Sequence, residues 1–331
     1  MPALLESTIH NYRAACFLKL GKDVEARAAA RKALALDTSN KKALFRLGSA
    51  QLALGKHHEA MAVFARLAKD ATAGNDVRTA LARANRRLAE SHGDFRESAA
   101  CLEFGKPHAD ATNYVGPLEV KMAGKGRGRG LFLTEGVAAG TLLLAEKALV
   151  AEAADASHAH FGVDNIKSKL YERSQDAVLQ QALQQALACP LTNARLHSLY
   201  DGSRASASRI PSMKLFRTDD PEDFNADDHV LDQPPVAVDQ VRSIVQYNTF
   251  GFGEATSGGE TGTWLWVLTS FINHARNPNT ARAHVGDVLL VKAAKPLKRG
   301  DEITTTSLHG VSEEERKEKL QQGWGIVEES L

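Results

Sequence analysis

An α+β chain is what these 331 residues predict, with N-terminal α-helical hairpins followed by a mostly β domain that a helical insert interrupts. Three observations carry the prediction. Two helical stretches read alike when shifted by 34 residues; from residue 115 the texture turns to short alternating runs punctuated by glycine; and a long helical pattern at 164–188 separates those runs from a second set that resumes at 241. The composition, 43% hydrophobic and 24% charged, is that of a globular chain. A net charge of +1 gives no whole-chain argument for nucleic acid or an anionic membrane. No apolar run approaches the roughly 18–20 residues that a membrane span requires.

The helical part comes first. "FLKLGKDVEARAAARKALALD" places Leu18, Leu20, Gly21, Glu25 and Ala26, and "QLALGKHHEAMAVFARLAKD" places Leu52, Leu54, Gly55, Glu59 and Ala60. An offset of 34 is the period of tetratricopeptide repeats, helix–turn–helix units that stack on one another; a generic Ala-rich pair of hairpins is the plainer alternative. Gly21 and Gly55 would sit at the turns, where a residue that tolerates positive φ is useful. Ala26, Ala30 and Ala33 share a helix face that permits close approach. A further helical stretch at 76–92 would cap the stack. Two such units fall below the roughly three that stand alone, so the array is expected to pack on the rest of the chain. The first helix starts almost at Met1 with no basic–apolar leader, which suggests that an upstream repeat is missing.

The β texture follows a linker at 93–114. Val120 and Met122 alternate with charged neighbours as in a half-buried strand, and "GLFLTEGVAAGTLLLAE" reads as two more strands around a glycine turn. Glycines 124, 126, 128 and 130 fit neither a dinucleotide loop nor a Walker loop in any register, and a strand rather than a helix follows them. They read as a basic glycine loop, either without function or approaching a ligand closely, with Arg127 or Arg129 facing anionic groups. Residues 154–240 form the insert: a helical run ended near Cys189-Pro190, then a polar stretch at 201–228 that reads as a long loop. No chemistry is legible there, and His158, His160 and His229 read as isolated, solvated residues. "VRSIVQYNTFGFGE" begins as a short helix or strand. Residues 262–310 read as four short strands with turns at Asn277-Pro278, Gly286-Asp287 and Arg299-Gly300-Asp301, and Ser312 with Glu315 opens a final helix within 311–331. Cys16, Cys101 and Cys189 lie far apart with no C-x-x-C pair, which argues for a reducing compartment and against a cysteine-based zinc site.

Four of these stretches, in this order, resemble the SET-domain family of protein-lysine methyltransferases, and in particular the fungal tetratricopeptide–SET proteins related to the SMYD group. "KGRGRGLF" at 125–132 looks like the family's first signature, "NTFGF" at 248–252 like its N-x-F-G segment, "NHARNPN" at 273–279 like N-H-S-C-x-P-N, and "GDEITTTS" at 300–307 like its closing strand. The resemblance implies a SET domain over 115–310 in two parts, 115–153 and 241–310, around the insert, with repeats at 1–92 and a remnant of a post-SET region at 311–331. It implies S-adenosylmethionine as cofactor, contacted by Arg129 and Gly130, by Asn248, and by Asn273 and His274 at a crossing of late segments. The implied partner is a protein substrate, histones included; the charge, the lack of a long apolar run and the cysteine spacing add the expectation of a nuclear or cytosolic place, no membrane association, no direct nucleic-acid signal and no zinc.

The chain departs from the family's pattern in three places. Ser307 stands where the family has a catalytic tyrosine, and a serine hydroxyl cannot reach across a channel as a phenol can. Arg276 stands where relatives carry a cysteine zinc ligand, and "GWGIVEESL" lacks the cysteines that follow in those relatives. Losing one preorganised donor typically costs on the order of 10²–10³ in rate. Two readings stand: an S-adenosylmethionine-dependent protein-lysine N-methyltransferase, or a catalytically inactive SET-fold protein that acts as an interaction module through its repeats.

Overall fold

The computed structural model describes residues 2–70, 73–96, 109–124, 127–153, 166–217, 223, 236–252 and 262–306. Ser307, the expected C-terminal helix at 311–331, and His158, His160 and His229 lie outside them. The chain divides into two compact units, Met1–Ala100 with Thr218–Phe224, and Cys101–Arg217 with Asn225–Leu331. Among the described residues no helix is long and apolar enough to cross a membrane.

Among the described residues the first unit holds five helices, α1 (Pro2–Lys19), α2 (Asp23–Leu36), α3 (Lys41–Ala53), α4 (His57–Ala68) and α5 (Asn75–Ser91), each packed on the next. The 34-residue offset is visible in the backbone. Lys22 N–H donates to Phe17 O at 2.9 Å and Lys56 N–H to Gln51 O at 2.9 Å. Gly21 and Gly55 take φ values of 66° and 69°, so both turns need a residue at ease in the left-handed region. Small residues let the helices close up: Ala14, Ala29 and Ala30 form one buried cluster, and Phe64 centres another with Leu44, Ala60, Leu67 and Ala84.

Gly48 in α3 offers a test of that packing. Alanine in a helix interior is ordinarily better than glycine by about 1 kcal/mol. Here a Cβ would stand 2.8 Å from Phe64 Cζ, on a ring that is 1% exposed and held edge-on to Phe45 at 5.5 Å. Overpacking costs about 1–3 kcal/mol, so Gly48→Ala is expected to lower stability in a urea titration, and adding Phe64→Leu should recover part of the loss.

The second unit is built of small sheets. Strands β1 (Tyr114–Val115), β4 (Leu142–Lys147), β10 (Val288–Ala293) and β9 (Thr280–Val285) form one antiparallel sheet in that order. Strands β2 (Leu118–Met122) and β3 (Arg129–Leu133) form a hairpin around the glycine loop, with Met122 opposite Arg129. β5 (Val150–Ala153), β7 (Gly262–Leu265) and β6 (Phe250–Phe252) form a third, antiparallel sheet. β8 (Asn273–His274) and β11 (Thr304–Thr305) pair in parallel. Residues 262–306 therefore hold five strands rather than the four read from sequence, and a 3₁₀ turn, Thr269–Phe271, sits between the first two. The insert carries α6 (Ile166–Ala188), α7 (Pro190–His197), α8 (Arg204–Ser208) and α9 (Lys214–Arg217), and α10 (Val238–Asn248) leads into β6. The polar stretch at 201–228 is thus not wholly loop. Ser203 caps α8 by accepting the Ser206 N–H at 3.1 Å, and Leu215 and Phe216 of α9 are buried.

Candidate functional site

Three segments far apart in the chain meet around Gly130. Residues 301–303 run antiparallel to β3, with Leu133 N–H to Asp301 O at 3.0 Å and Ile303 N–H to Leu131 O at 2.9 Å. Two residues later the same segment, as β11, pairs in parallel with β8. The Asn279 side chain stands in for a further strand: its Oδ1 accepts the Thr304 N–H at 2.8 Å and its Nδ2 donates to Glu302 O at 2.8 Å. A short amide can do this because it carries the donor and acceptor of a peptide group. The closing segment is thereby threaded between β3, β8 and the Asn279 turn.

A polar chain locks this crossing. Asn273 Nδ2 donates to Glu302 Oε1 at 2.7 Å and to Arg129 O at 3.0 Å. Arg127 Nη2 donates to Glu302 Oε2 at 2.6 Å, which ties the glycine loop to the same carboxylate. The Glu302 side chain is 12% exposed, so the pair is better shielded than a surface ion pair. Gly130 lies directly on this chain, since a Cβ there would come within 2.6 Å of Glu302 Oε1 and 3.0 Å of Asn273 Nδ2.

Arg129 faces the other way. Its Nη1 donates to Ser198 O at 2.5 Å and Arg209 O at 2.9 Å, and its guanidinium lies 4.7 Å from the centre of the Phe271 ring. Burial pushes its pKa down to about 10, neighbouring Arg209 adds to the effect, and Asp201 opposes it. The insert between 198 and 209 is therefore part of the frame that holds Arg129. A ring of hydrogen bonds shapes that segment. Asp201 Oδ1 accepts from Ser206 Oγ at 2.6 Å and from Ser203 N–H at 2.9 Å, and its Oδ2 accepts from Gln240 Nε2 at 2.9 Å. Burial alone would raise the Asp201 pKa, but these donors together hold it well below the usual carboxylate range.

Asn248, the last residue of α10, donates through Nδ2 to Tyr200 O and to Ile244 O, both at 2.7 Å. It is buried, next to the tilted ring pair of Tyr200 and Tyr247. His274 is buried in β8, and the following Ala275 N–H donates to Thr305 O at 2.9 Å. The structure thus brings Gly130, Asn273 and the Arg129 backbone together at the crossing. The Arg129 guanidinium and the Asn248 amide lie against the insert. Sequence reasoning missed Glu302 as the node of the polar chain, although "GDEI" had flagged its segment.

Glu146, on β4, was missed altogether. It is buried, its Oε1 accepts the Leu268 N–H at 2.7 Å, and its Oε2 accepts the Thr269 N–H at 2.8 Å and the Thr269 hydroxyl at 2.7 Å. It caps the start of the 3₁₀ turn from a distant strand, and that turn delivers Asn273. No local sequence signal could have found a partner more than a hundred residues away.

A family model described as "SET domain" matches residues 128–306. A curated protein of Gibberella zeae named "Methyltransferase" is 23% identical over 281 residues, covering 80% of this chain and 37% of that protein; the chain therefore spans little more than a third of its relative's length. Among solved structures, the crystal structure of the SET domain of LSMT bound to lysine and AdoHcy is 12% identical, with a TM-score of 0.30, over 74% of this chain and 58% of that one.

Proposed function

Because this chain belongs to the SET-domain family, we propose that it is an S-adenosylmethionine-dependent protein-lysine N-methyltransferase. The observation that carries the reading is the crossing itself: β8 and β11 pair in parallel inside the matched segment, and the Asn273–Glu302 bond lies directly on Gly130. The residues suit the cofactor. The face of Gly130 is filled by Glu302 Oε1 and Asn273 Nδ2, and that amide nitrogen donates to Glu302 and to the Arg129 carbonyl, so Asn273 would meet an adenine or an amine through its Oδ1, beside the His274 backbone. Arg129 acts through its backbone here, while its guanidinium holds the insert in place. S-adenosylmethionine would supply a methyl group on a sulfonium. The chain's task is to desolvate a neutral lysine amine and to hold it in line. On this reading the 34-residue units are tetratricopeptide repeats that select the protein substrate, a histone or another protein of the nucleus or cytosol.

A second reading has its own support. The Arg129 guanidinium and the Asn248 amide are both taken up by internal carbonyls, and Ser307 and Arg276 replace residues that the family uses. An inactive SET-fold interaction module would have this character. Calorimetric titration with S-adenosylmethionine decides between them. Saturable binding that is lost in Asn273→Ala, followed by transfer of labelled methyl to protein lysines, is the expected result. Absence of heat and of any thermal shift at millimolar cofactor would rule out the methyltransferase reading.

A further inference from the structure

Helix α1 presents an apolar stripe to solvent. Leu5, Ile9 and Tyr12 are 65%, 52% and 64% exposed, and Cys16 continues the line. The spacing of four, three and four residues puts all of them on one helix face. The opposite side of α1, through Ser7, Asn11 and Ala14, is buried in the helical unit. Single exposed apolar residues are ordinary, but a continuous stripe marks an interaction surface.

The internal offset shows what such a face is for. At 34 residues, Ile9, Tyr12, Arg13 and Cys16 of α1 correspond to Ala43, Arg46, Leu47 and Ala50 of α3. On α3 that face lies against the first hairpin: Arg46 Nη1 donates to Asn11 O at 2.8 Å, Leu47 packs on the Ala14–Ala29–Ala30 cluster, and Ala43 and Ala50 are fully buried. The same face that α3 buries is therefore open on α1. Its residues differ in size, however. Ala43 and Ala50 allow a neighbouring helix to come close, whereas Ile9 and Tyr12 hold one further off. A helix that carries matching large residues suits this surface, and α1 is one.

We propose that α1 is a self-association surface, along which two copies of this chain pair antiparallel through Leu5, Ile9, Tyr12 and Cys16. Charge sets the direction. Glu6 and Arg13 flank the stripe on the same side, and both are exposed. With Ile9 of one copy facing Tyr12 of the other, Leu5 faces Cys16, and Glu6 falls within half a turn of Arg13 of the second copy, twice by symmetry. A parallel pair would put Glu6 and Arg13 of the two copies on opposite sides of the seam, where neither ion pair can form.

Light scattering on the full chain across a concentration series tests this. A dimer is expected, and Ile9→Glu should raise its dissociation constant by about 30-fold or more while leaving the melting temperature unchanged at concentrations where both chains are monomeric, because the residue is exposed. Glu6→Arg should weaken the dimer, and Glu6→Arg combined with Arg13→Glu should restore it. In a Cys16→Ser background, an Ile9→Cys chain mixed with a Tyr12→Cys chain should form an interchain disulfide when an added disulfide such as oxidised glutathione takes up the two electrons. A chain that stays monomeric at every concentration, or a dimer indifferent to Ile9→Glu, would overturn the proposal. Failure of the charge exchange to restore pairing would overturn the antiparallel arrangement.

Discussion

Glu146→Ala is expected to destabilise the second unit by about 3–5 kcal/mol, the range in which breaking a buried polar network falls. The carboxylate satisfies three donors at once, the N–H groups of Leu268 and Thr269 and the Thr269 hydroxyl. Without it each is left in the interior at about 1–3 kcal/mol. The small pocket beside it, lined by Asn113, Arg195, Phe216 and Leu268 among others, can admit water to some of them and so keeps the total below the simple sum. Glu146→Gln retains one acceptor oxygen but turns an N–H₂ toward a donor, so an intermediate loss is expected. The pH dependence separates the two variants further. Burial raises the Glu146 pKa above the ordinary 4.5, against the opposing hydrogen bonds from Thr269 and Leu268 and the charge of Arg195. A raised folded pKa means that the folded state holds the proton more tightly. The stability linked to that proton is complete below 4.5 and is lost as pH rises through the folded value. The advantage of wild type over the neutral glutamine variant should therefore shrink with rising pH, as read from paired thermal melts. A gap that widens with pH would show that the buried group is held as a carboxylate and that the donors outweigh burial. The consequence also extends to the site, because the 3₁₀ turn that Glu146 caps leads straight into Asn273.

What the chain disclosed in advance follows from the range of the forces involved. The hairpin turns at Gly21 and Gly55, the β2–β3 hairpin around the glycine loop and the Gly286 turn between β9 and β10 were legible, because each rests on local periodicity and on a residue that tolerates positive φ. The five-strand count at 262–306 was not. "WLWVLTSFINH" is an almost continuous apolar run, and such a run does not distinguish a strand from a buried turn. Trp266 through Leu268 are buried, yet the strand ends at Leu265 and the chain turns. Two-residue strands such as β8 and β11 are shorter than any period, so they exist only by virtue of their partners. The same holds for the site. "NHARNPN" announced a polar turn of unusual composition, but the roles of its two outer asparagines differ in a way spacing cannot show: Asn273 binds a carboxylate and a strand carbonyl, whereas Asn279 stands in for backbone. The insert was the least legible part. Ser203 and Ser206 lie in the stretch that reads as a long loop and Gln240 lies outside it, so nothing local shows that Asp201 gathers all three or that the Ser198 and Arg209 carbonyls close on Arg129.

Gly130→Ala is expected to separate stability from site geometry more cleanly than any other substitution at the crossing. The new methyl would meet Glu302 Oε1 at 2.6 Å, Asn273 Nδ2 at 3.0 Å and Phe132 Cε2 at 3.2 Å. The nearest atom is the far end of a flexible side chain, so the carboxylate can swing away, and the global cost should stay near 1–2 kcal/mol. The local cost is larger. Moving Glu302 breaks its 2.7 Å bond to Asn273 and its 2.6 Å bond to Arg127, which frees both the crossing and the glycine loop. A displacement of about 1 Å in a positioned group can cost on the order of 10²-fold, so under the proposed function S-adenosylmethionine affinity in Gly130→Ala should fall by about 10–100-fold while the melting temperature falls by only a few degrees. Glu302→Ala in the same chain removes the clash but not the loss: the double variant should regain stability and still bind weakly. The two substitutions should therefore be strongly coupled in stability and in binding alike, because both remove the same Glu302 bonds. Amide exchange gives a readout that does not depend on cofactor. The Ala275 N–H, which donates to Thr305 O at 2.9 Å, should exchange faster in Gly130→Ala than in wild type. Unchanged exchange there, together with wild-type cofactor affinity, would mean that the Asn273–Glu302–Arg127 chain does not hold the crossing in place.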